Sequence, residues 1–211
     1  MEGTPGSEWI SLGGYKDTDP NLKRRDGKTA LVMAEEALQQ GKVSPAHVDA
    51  IIVSVGPGSF TGIRSAIALA QGWQAARGTK VLGVTSLFSL NSTSEFKNAP
   101  GTSAIVIDAQ KGEFNYIPKK AYASQAELSD AIQLFPKAHL LEKQEAGEMF
   151  FGPHLKKHFP NSTEIYPDAE DLARSIPVSP DWQCASDLEA IYLRKPDFIK
   201  APPPRVIPDI A

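Results

Sequence analysis

Hydrophobic and polar positions follow two different periods on either side of a glycine-rich break. The run Ile51–Val55 is apolar and β-branched, which predicts a buried strand. After the break, apolar residues recur at intervals of three and four, at Ile63, Ala66, Ile67 and Ala70. This spacing predicts an amphipathic helix over Thr61–Arg77. Ser59 or Thr61 can cap its first turn, and Gly78 can end it.

The same patterns predict strands and helices along most of the chain. The predicted helices are Thr29–Gln40, Thr61–Arg77, Ser86–Asn91, Gln125–Phe135, Asp168–Ile176 and Trp182–Tyr192. The predicted strands are Ala50–Val55, Lys80–Val84, Ala104–Ile107, Glu113 to about Tyr122, His139–Glu142 and Met149–Phe151. Interleaved strands and helices indicate an α/β protein.

A Pro- and Gly-containing break at Asn98–Thr102 is the best boundary between two lobes. We therefore predict a first lobe over residues 23–100 and a second over 101–197. Residues 1–22 are rich in Gly, Pro and Asp, and we predict that they are poorly ordered. The Pro-rich tail, residues 198–211, is expected to be extended.

The composition of the chain limits the classes of protein to which it can belong. The chain has 211 residues, of which 41% are hydrophobic and 22% charged, as in an ordinary globular protein. A formal net charge of −3 argues against broad, autonomous RNA binding. No apolar stretch approaches the roughly 20 residues that span a membrane. With Cys184 as the single cysteine and no signal peptide in the sequence, we expect a cytoplasmic protein.

The glycine-rich segment Gly56–Gly62 has two interpretations. Free N–H groups at a helix N-terminus can hold a phosphate. The segment lacks the lysine of a P-loop, however, so a tight turn that packs the helix on its sheet is favoured. Ser59 as a nucleophile is less favoured still, because no positioned base is evident.

Two further groups could carry chemistry. Asp108 and Glu113 flank a predicted hairpin turn, and an Asp at a strand end can hold Mg²⁺ or activate water. Such chemistry needs a matching Asp from the opening strand of the first lobe, and the first 20 residues contain no such strand, which favours a role in stabilising the hairpin. His154 and His158 are four residues apart and could share a metal on a helix. Two lysines lie between them and no third ligand is evident, so we predict no metal site.

Four ordered segments carry a resemblance to a known family. They are GPGSFTGIR with the later GVTSLFSL, then IVIDAQKGEFNY at Ile105–Tyr116, FFGPHL at Phe150–Leu155 and AIYLRKPD at Ala190–Asp197. Together they closely resemble the TsaB/YeaZ family over about residues 23–197. The resemblance implies the two-lobe, RNase H-like fold of actin-like ATPases (the ASKHA class).

The resemblance also implies a function. Members of this family are the non-catalytic subunit of the bacterial machinery that makes N6-threonylcarbamoyladenosine at position 37 of tRNA. The expected partners are a TsaD-type catalytic subunit and a TsaE-type ATPase, with tRNA contacted only through the complex, and a homodimer is an alternative pairing. No catalytic residue, cofactor or metal of its own is expected.

In the family, the first two helices form the surface that pairs with the catalytic subunit. We therefore predict partner contacts on both helices, at Leu31, Glu35, Leu38, Arg64, Ile67, Ala70, Gln71 and Gln74. On this interpretation, Ala70→Glu or Gln74→Glu weakens pairing and leaves the monomer folded.

One departure from the family concerns the start of the chain. Family members begin with a hydrophobic strand ending in IDT, which the first 20 residues here do not contain. The first lobe is thus expected to lack its N-terminal strand, and Trp9–Leu12 is the only candidate β segment there. Two other classes stay open: an ATP-using phosphotransferase, which needs a nucleotide pocket, and a metallopeptidase, which needs bound metal.

Overall fold

The computed structural model describes residues 30–177 and 180–191 and shows an α/β protein with two β-sheets. The predicted segment Trp9–Leu12 and the Pro-rich tail lie outside the described residues. The helices are α1 Ala30–Gln40, α2 Phe60–Arg77, α3 Ser86–Asn91, α4 Ser94–Lys97, α5 Gln125–Asp130, α6 Lys137–Glu145 and α7 Ala169–Ser175. The strands are β1 Ala50–Ser54, β2 Lys80–Val84, β3 Ser103–Asp108, β4 Glu113–Pro118, β5 Gln133–Pro136, β6 Met149–Gly152 and β7 Thr163–Glu164.

The first sheet consists of β1 and β2, which run parallel and are joined by helix α2. Ser59 caps α2 by accepting a hydrogen bond from the Gly62 N–H at 3.4 Å, so Ser59 and not Thr61 is the cap. Gly78 ends the helix with a φ of 69°, a left-handed conformation that glycine adopts without strain. The predicted bounds of β2 and α3 are confirmed.

The second sheet has five strands in the order β5-β4-β3-β6-β7. Strands β3 and β4 form the predicted antiparallel hairpin, whereas β6 and β7 continue the sheet in parallel. Alternate residues of β3 face opposite sides, so Ile105 and Ile107 join one apolar cluster and Ala104 and Val106 join another. The sheet is therefore packed on both faces.

Gly152 ends β6 within the segment FFGPHL. A Cβ built at this position would lie 2.0 Å from the carbonyl oxygen of Val106. Only glycine allows the backbones of β6 and β3 to approach this closely.

Two predicted elements in the second half are wrong. Residues predicted as one helix over Gln125–Phe135 form α5 and then strand β5, which pairs with β4. The predicted strand His139–Glu142 lies inside helix α6. Leu140 of α6 is fully buried, and a four-residue window is too short to separate a helical from a strand period.

The segment Trp182–Tyr192 was predicted to be a helix, and over its described part this is also wrong. Gln183 is extended and pairs with Val81 of β2, and a single 3-10 turn follows at Ala185–Asp187. At its two ends, the Gln183 N–H donates to the Val81 carbonyl and the Ile191 N–H to the Val55 carbonyl, instead of to residues of a helix. We call residues 183–191 the return segment.

Candidate functional site

The glycine-rich loop between β1 and α2 brings three parts of the chain together. Gly56 has a φ of 103°, and a Cβ there would lie 2.9 Å from the carbonyl oxygen of Ile191. The Gly56 carbonyl accepts a hydrogen bond from the Ser86 N–H at 2.8 Å, and the Ile191 N–H donates to Val55 at 2.8 Å. These contacts support the interpretation of the loop as a tight turn that packs the helix on its sheet. Phosphate binding at this loop was the less favoured interpretation, and it stays untested.

The structure corrects three of the eight predicted partner-contact residues. Ala70 has 0% of its surface exposed and Ile67 has 7%, and both pack against the return segment and the first sheet. Leu38 of α1 is buried as well. Their side chains lie on the core faces of the two helices, because each helix turns its most continuous apolar stripe inward. Ala70 therefore offers no surface to a partner, and Ile67, which lines a groove beside α2, offers little.

Gln71 and Gln74 bind the return segment. The Gln71 amide nitrogen donates to the Ala185 carbonyl at 3.0 Å. The Gln74 amide donates to the Gln183 carbonyl at 3.2 Å and accepts from the Ala185 N–H at 2.7 Å. These side chains therefore hold residues 183–185 along α2, a structural role that the sequence reading missed.

The remaining predicted residues, Leu31, Glu35 and Arg64, are exposed. The Arg64 guanidinium lies over the ring of Phe60, 5.1 Å from its centroid. Phe60 is 58% exposed, the highest value among the large exposed hydrophobic side chains of the described residues. An exposed aromatic ring with a stacked arginine is a pair of residue types enriched in protein–protein interfaces.

A shallow groove runs beside this pair. One wall is the amino-terminal half of α2, from Phe60 to Gln71, and the other is residues 188–190 of the return segment. We call it the α2 groove. Leu188 was missed by sequence reasoning, since its place in the wall depends on a contact more than a hundred residues away in the chain from α2.

Asp108 lies at the end of β3 and binds three groups. Its carboxylate accepts hydrogen bonds from the Gln110 N–H at 2.8 Å and from Lys157 at 3.0 Å, and it lies 3.1 Å from His158 Nε2. The bond to Gln110 stabilises the hairpin turn, as favoured from the sequence. The other two tie the hairpin to the 3-10 turn Leu155–Lys157.

Two opposing effects act on the Asp108 carboxyl. Partial burial raises its pKa, but the hydrogen bonds from Gln110, Lys157 and His158 and the charge of Lys157 together outweigh burial. The net result is a pKa below the ordinary value. The folded structure therefore favours a charged Asp108.

His154 and His158 have different neighbours. His158 binds Asp108, whereas His154 Nδ1 lies 3.3 Å from the Tyr166 hydroxyl. His154 has a φ of 53° and precedes a 3-10 turn, so the helical spacing assumed for a shared metal is not formed. Among residues 30–177 and 180–191, no group of three His, Cys, Asp or Glu side chains is placed to hold a metal ion.

The two sheets and the helices that cover them define an α/β protein of the actin-like ATPase fold, as predicted. A family model described as "TsaD: tRNA N6-adenosine threonylcarbamoyltransferase" matches residues 21–177, and the chain belongs to this family. The structure is similar to YeaZ from Pseudomonas aeruginosa, with a TM-score of 0.54 at 23% identity over 78% of this chain and 83% of that one.

A second solved structure, an uncharacterized Pseudomonas aeruginosa protein with similarity to peptidase YeaZ, gives a TM-score of 0.55 at 24% identity over 78% of this chain and 82% of that one. In sequence, the chain is 31% identical to the Escherichia coli tRNA threonylcarbamoyladenosine biosynthesis protein TsaB over 43% of this chain and 39% of that one. An uncharacterized Mycobacterium leprae protein is 27% identical over 76% of this chain and 42% of its own. The chain spans about four-tenths of the length of these curated relatives. The predicted TsaB/YeaZ resemblance is confirmed.

Helix α2 is the longest helix in the described part of the chain. Neither it nor any other helix described here is long and apolar enough to cross a membrane.

Proposed function

We propose that this chain is a non-catalytic subunit in the synthesis of N6-threonylcarbamoyladenosine in tRNA, and that it binds a TsaD-type catalytic subunit through the α2 groove. In this proposal the chain contacts a TsaE-type ATPase and tRNA only as part of the complex, which is in the cytoplasm. The division of the described strands into two sheets supports the proposed lobes at residues 23–100 and 101–197. The family match and the name of the Escherichia coli relative support the pathway.

The observation that carries the binding role is the exposed face of α2. Phe60 and Arg64 present an aromatic ring and a cation beside a groove floored by small residues such as Ala68. Burial of such anchors supplies most of the free energy of a typical interface. The neighbouring core face of the same helix is filled by Ile63 and Ala70, so the groove side is the side that a partner can reach.

The non-catalytic role rests on Asp108. This carboxylate is the acidic residue best placed at a strand end, and Lys157 and His158 bind it. A carboxylate held in its charged form by a lysine and by hydrogen bonds suits structure better than proton transfer near pH 7.

The test is co-expression of this chain with the catalytic TsaD homologue of the same organism, followed by size-exclusion chromatography. Ala68→Glu places a charge in the α2 groove. Ala76→Glu makes the same change on an exposed residue two turns further along the same helix. We expect the wild type and Ala76→Glu to co-elute with the catalytic subunit, and Ala68→Glu to bind at least about tenfold more weakly, a loss of about 1.4 kcal/mol.

Equal binding by Ala68→Glu and Ala76→Glu would contradict the α2 groove as the binding surface. Absence of any complex with the wild type would contradict the partner-subunit function itself. Circular dichroism of each variant shows whether a loss of binding comes from unfolding.

A further inference from the structure

The side-chain amine of Lys119 lies among backbone carbonyl oxygens at the end of helix α4. Its Nζ donates to the Phe96 carbonyl at 2.8 Å and to the Lys97 carbonyl at 2.7 Å, and it also donates to the Ala99 carbonyl. Helix α4 ends at Lys97, and the last carbonyls of a helix lack the hydrogen bond that its interior provides. One ammonium group thus binds three oxygens at this end. We call the carbonyls of Phe96, Lys97 and Ala99 the α4 cradle.

An aromatic ring completes the surroundings of the ammonium. Lys119 Nζ lies over the Phe96 ring, 5.4 Å from its centroid, and the face of an aromatic ring attracts a cation. Within residues 30–177 and 180–191, Lys119 forms no ion pair with a carboxylate. The charge is therefore bound by neutral groups, the carbonyl dipoles and the ring. Carbonyl oxygens are also the groups that replace water around a monovalent cation in selective protein sites.

Contacts that do not involve Lys119 hold the α4 cradle in place. At the start of α4, Asp171 accepts a hydrogen bond from the Ser94 N–H at 2.7 Å. Lys97 Nζ donates to the Ser175 hydroxyl at 2.9 Å, and Phe96 is buried in the apolar cluster on one face of the second sheet. The three oxygens should therefore keep their arrangement when the amine of Lys119 is removed.

The backbone of Lys119 is fixed separately from its amine. Its N–H donates to the carbonyl of Ser103, the first residue of β3, at 2.7 Å. Replacement of Lys119 by alanine keeps this bond and the Cβ atom, and it removes the outer carbon atoms and the nitrogen. The removed atoms are those of n-propylammonium, so the space that they leave has the length of that cation.

From this geometry we propose that the α4 cradle is a binding site for a primary ammonium group, and that Lys119 is the ligand that the chain itself supplies. A primary ammonium has three N–H donors, one for each carbonyl of the cradle, and no acceptor. A free alkylammonium of matching length therefore occupies the site when the side chain of Lys119 is removed.

The α4 cradle lies in the connection between the two sheets, since residues 94–102 join α3 to β3. One positive charge, carried by the residue that follows β4, binds the backbone of this connection to the second sheet. The cradle shares no residue with the lining of the α2 groove and does not depend on the proposed function.

The test is urea denaturation of the full chain, followed by circular dichroism, in about 100 mM n-propylammonium chloride or about 100 mM tetramethylammonium chloride. Both salts supply the same charge, but tetramethylammonium has no N–H donor. For a dissociation constant of about 10 mM, we expect n-propylammonium to raise the folding equilibrium constant of Lys119→Ala about tenfold over its value in tetramethylammonium. Lys119→Met fills the path to the cradle without an ammonium, so its constant should change by less than about twofold, as should that of Lys120→Ala.

NMR gives a second readout that locates the bound cation. Titration of Lys119→Ala with n-propylammonium should shift the carbonyl carbon signals of Phe96, Lys97 and Ala99. Equal stabilisation of Lys119→Ala by the two salts overturns the proposal, as does equal stabilisation of Lys119→Ala and Lys119→Met by n-propylammonium. If Lys119→Ala is unfolded without added amine, refolding in n-propylammonium alone supports the site, and a chain that stays unfolded in both salts counts against it.

Discussion

At the scale of single residues, Asp108 shows how one carboxylate can look catalytic in sequence and be structural in the fold. Its position after an apolar strand is the position of a metal ligand or a base in many enzymes. In the structure it connects the β3–β4 hairpin to Lys157 and His158. The sequence indicated the hairpin bond, because an Asp two residues before a turn commonly accepts from the backbone. It could not show the partners Lys157 and His158, which lie about fifty residues away in the chain.

Asp108 also gives a pH-dependent prediction. Because its pKa is lower in the folded than in the unfolded chain, the charged form stabilises the fold above the unfolded pKa of about 3.9, and this stability is lost as the pH falls through the folded pKa. Asp108→Asn keeps an acceptor for Gln110 and removes the charge. We expect it to lower the free energy of unfolding by about 1 to 2 kcal/mol at pH 7 and by much less well below pH 4.

Urea denaturation of both proteins at the two pH values measures this difference. An equal loss of stability at acid and neutral pH would show that the charge of Asp108 is not the cause.

At the scale of elements, helix α2 has ends that are determined by its local sequence and buried faces that are determined by the surrounding structure. Its start and end follow from Ser59 and Gly78, and both are local features. Which of its faces is buried does not follow from local features, because apolar and small residues occur on more than one side of the helix. Ala70 and Ala68 are two residues apart and have the same side chain, yet Ala70 is fully buried and Ala68 is exposed.

This difference corrects the earlier expectation that Ala70→Glu leaves the monomer folded. Ala70→Glu would bury a carboxylate against Val81 and Leu188 with no cationic partner in its cluster. We expect a loss of at least about 3 kcal/mol in the free energy of unfolding, enough to unfold much of the protein. Ala68→Glu should change it by no more than about 0.5 kcal/mol.

Thermal unfolding followed by circular dichroism compares the two variants directly. Similar melting temperatures for both would mean that α2 is rotated relative to the structure described. The same result would remove the basis for placing the binding surface at Ala68.

At the scale of the whole molecule, residues 94–102 connect the part of the chain that contains the first sheet to the second sheet. Side chains from distant elements bind the backbone of this connection. Lys119, just after β4, donates to the carbonyls of Phe96 at 2.8 Å and Lys97 at 2.7 Å, and also to Ala99. Asp171 of α7 accepts from the Ser94 N–H at 2.7 Å. Helix α4 is only four residues long and depends on these bonds at both ends.

Lys119→Met should therefore destabilise the protein by about 2 to 3 kcal/mol, because three carbonyl groups lose a charged donor. Lys120→Met is the matched control, since the exposed Lys120 forms an ion pair with the exposed Glu127 and lies over the ring of Tyr122, without binding a backbone carbonyl in the described part of the chain. Its effect should stay within about 0.5 kcal/mol. Chemical denaturation measures both, and equal effects would contradict the role assigned to Lys119.

The sequence alone determined the family and, in the first half of the chain, several ends of helices and strands. The stop at Gly78 and the strand Lys80–Val84 each depend on neighbouring residues, and the structure confirms both. The sequence limited the cap of α2 to Ser59 or Thr61, and the structure shows that it is Ser59. The ordered segments from GPGSFTG onward were sufficient to indicate the TsaB/YeaZ resemblance.

Only the tertiary structure decided which helix faces are buried and where residues 183–191 lie. Gln71 and Gln74 are polar residues on a helix, and their local pattern is that of a solvent-exposed face. Their amides instead bind backbone groups of the return segment more than a hundred residues later. At Gln183 this segment is extended and not helical, because the edge of β2 supplies its hydrogen-bond partners. Such pairings depend on the position of distant backbone groups, which no local pattern of residues encodes.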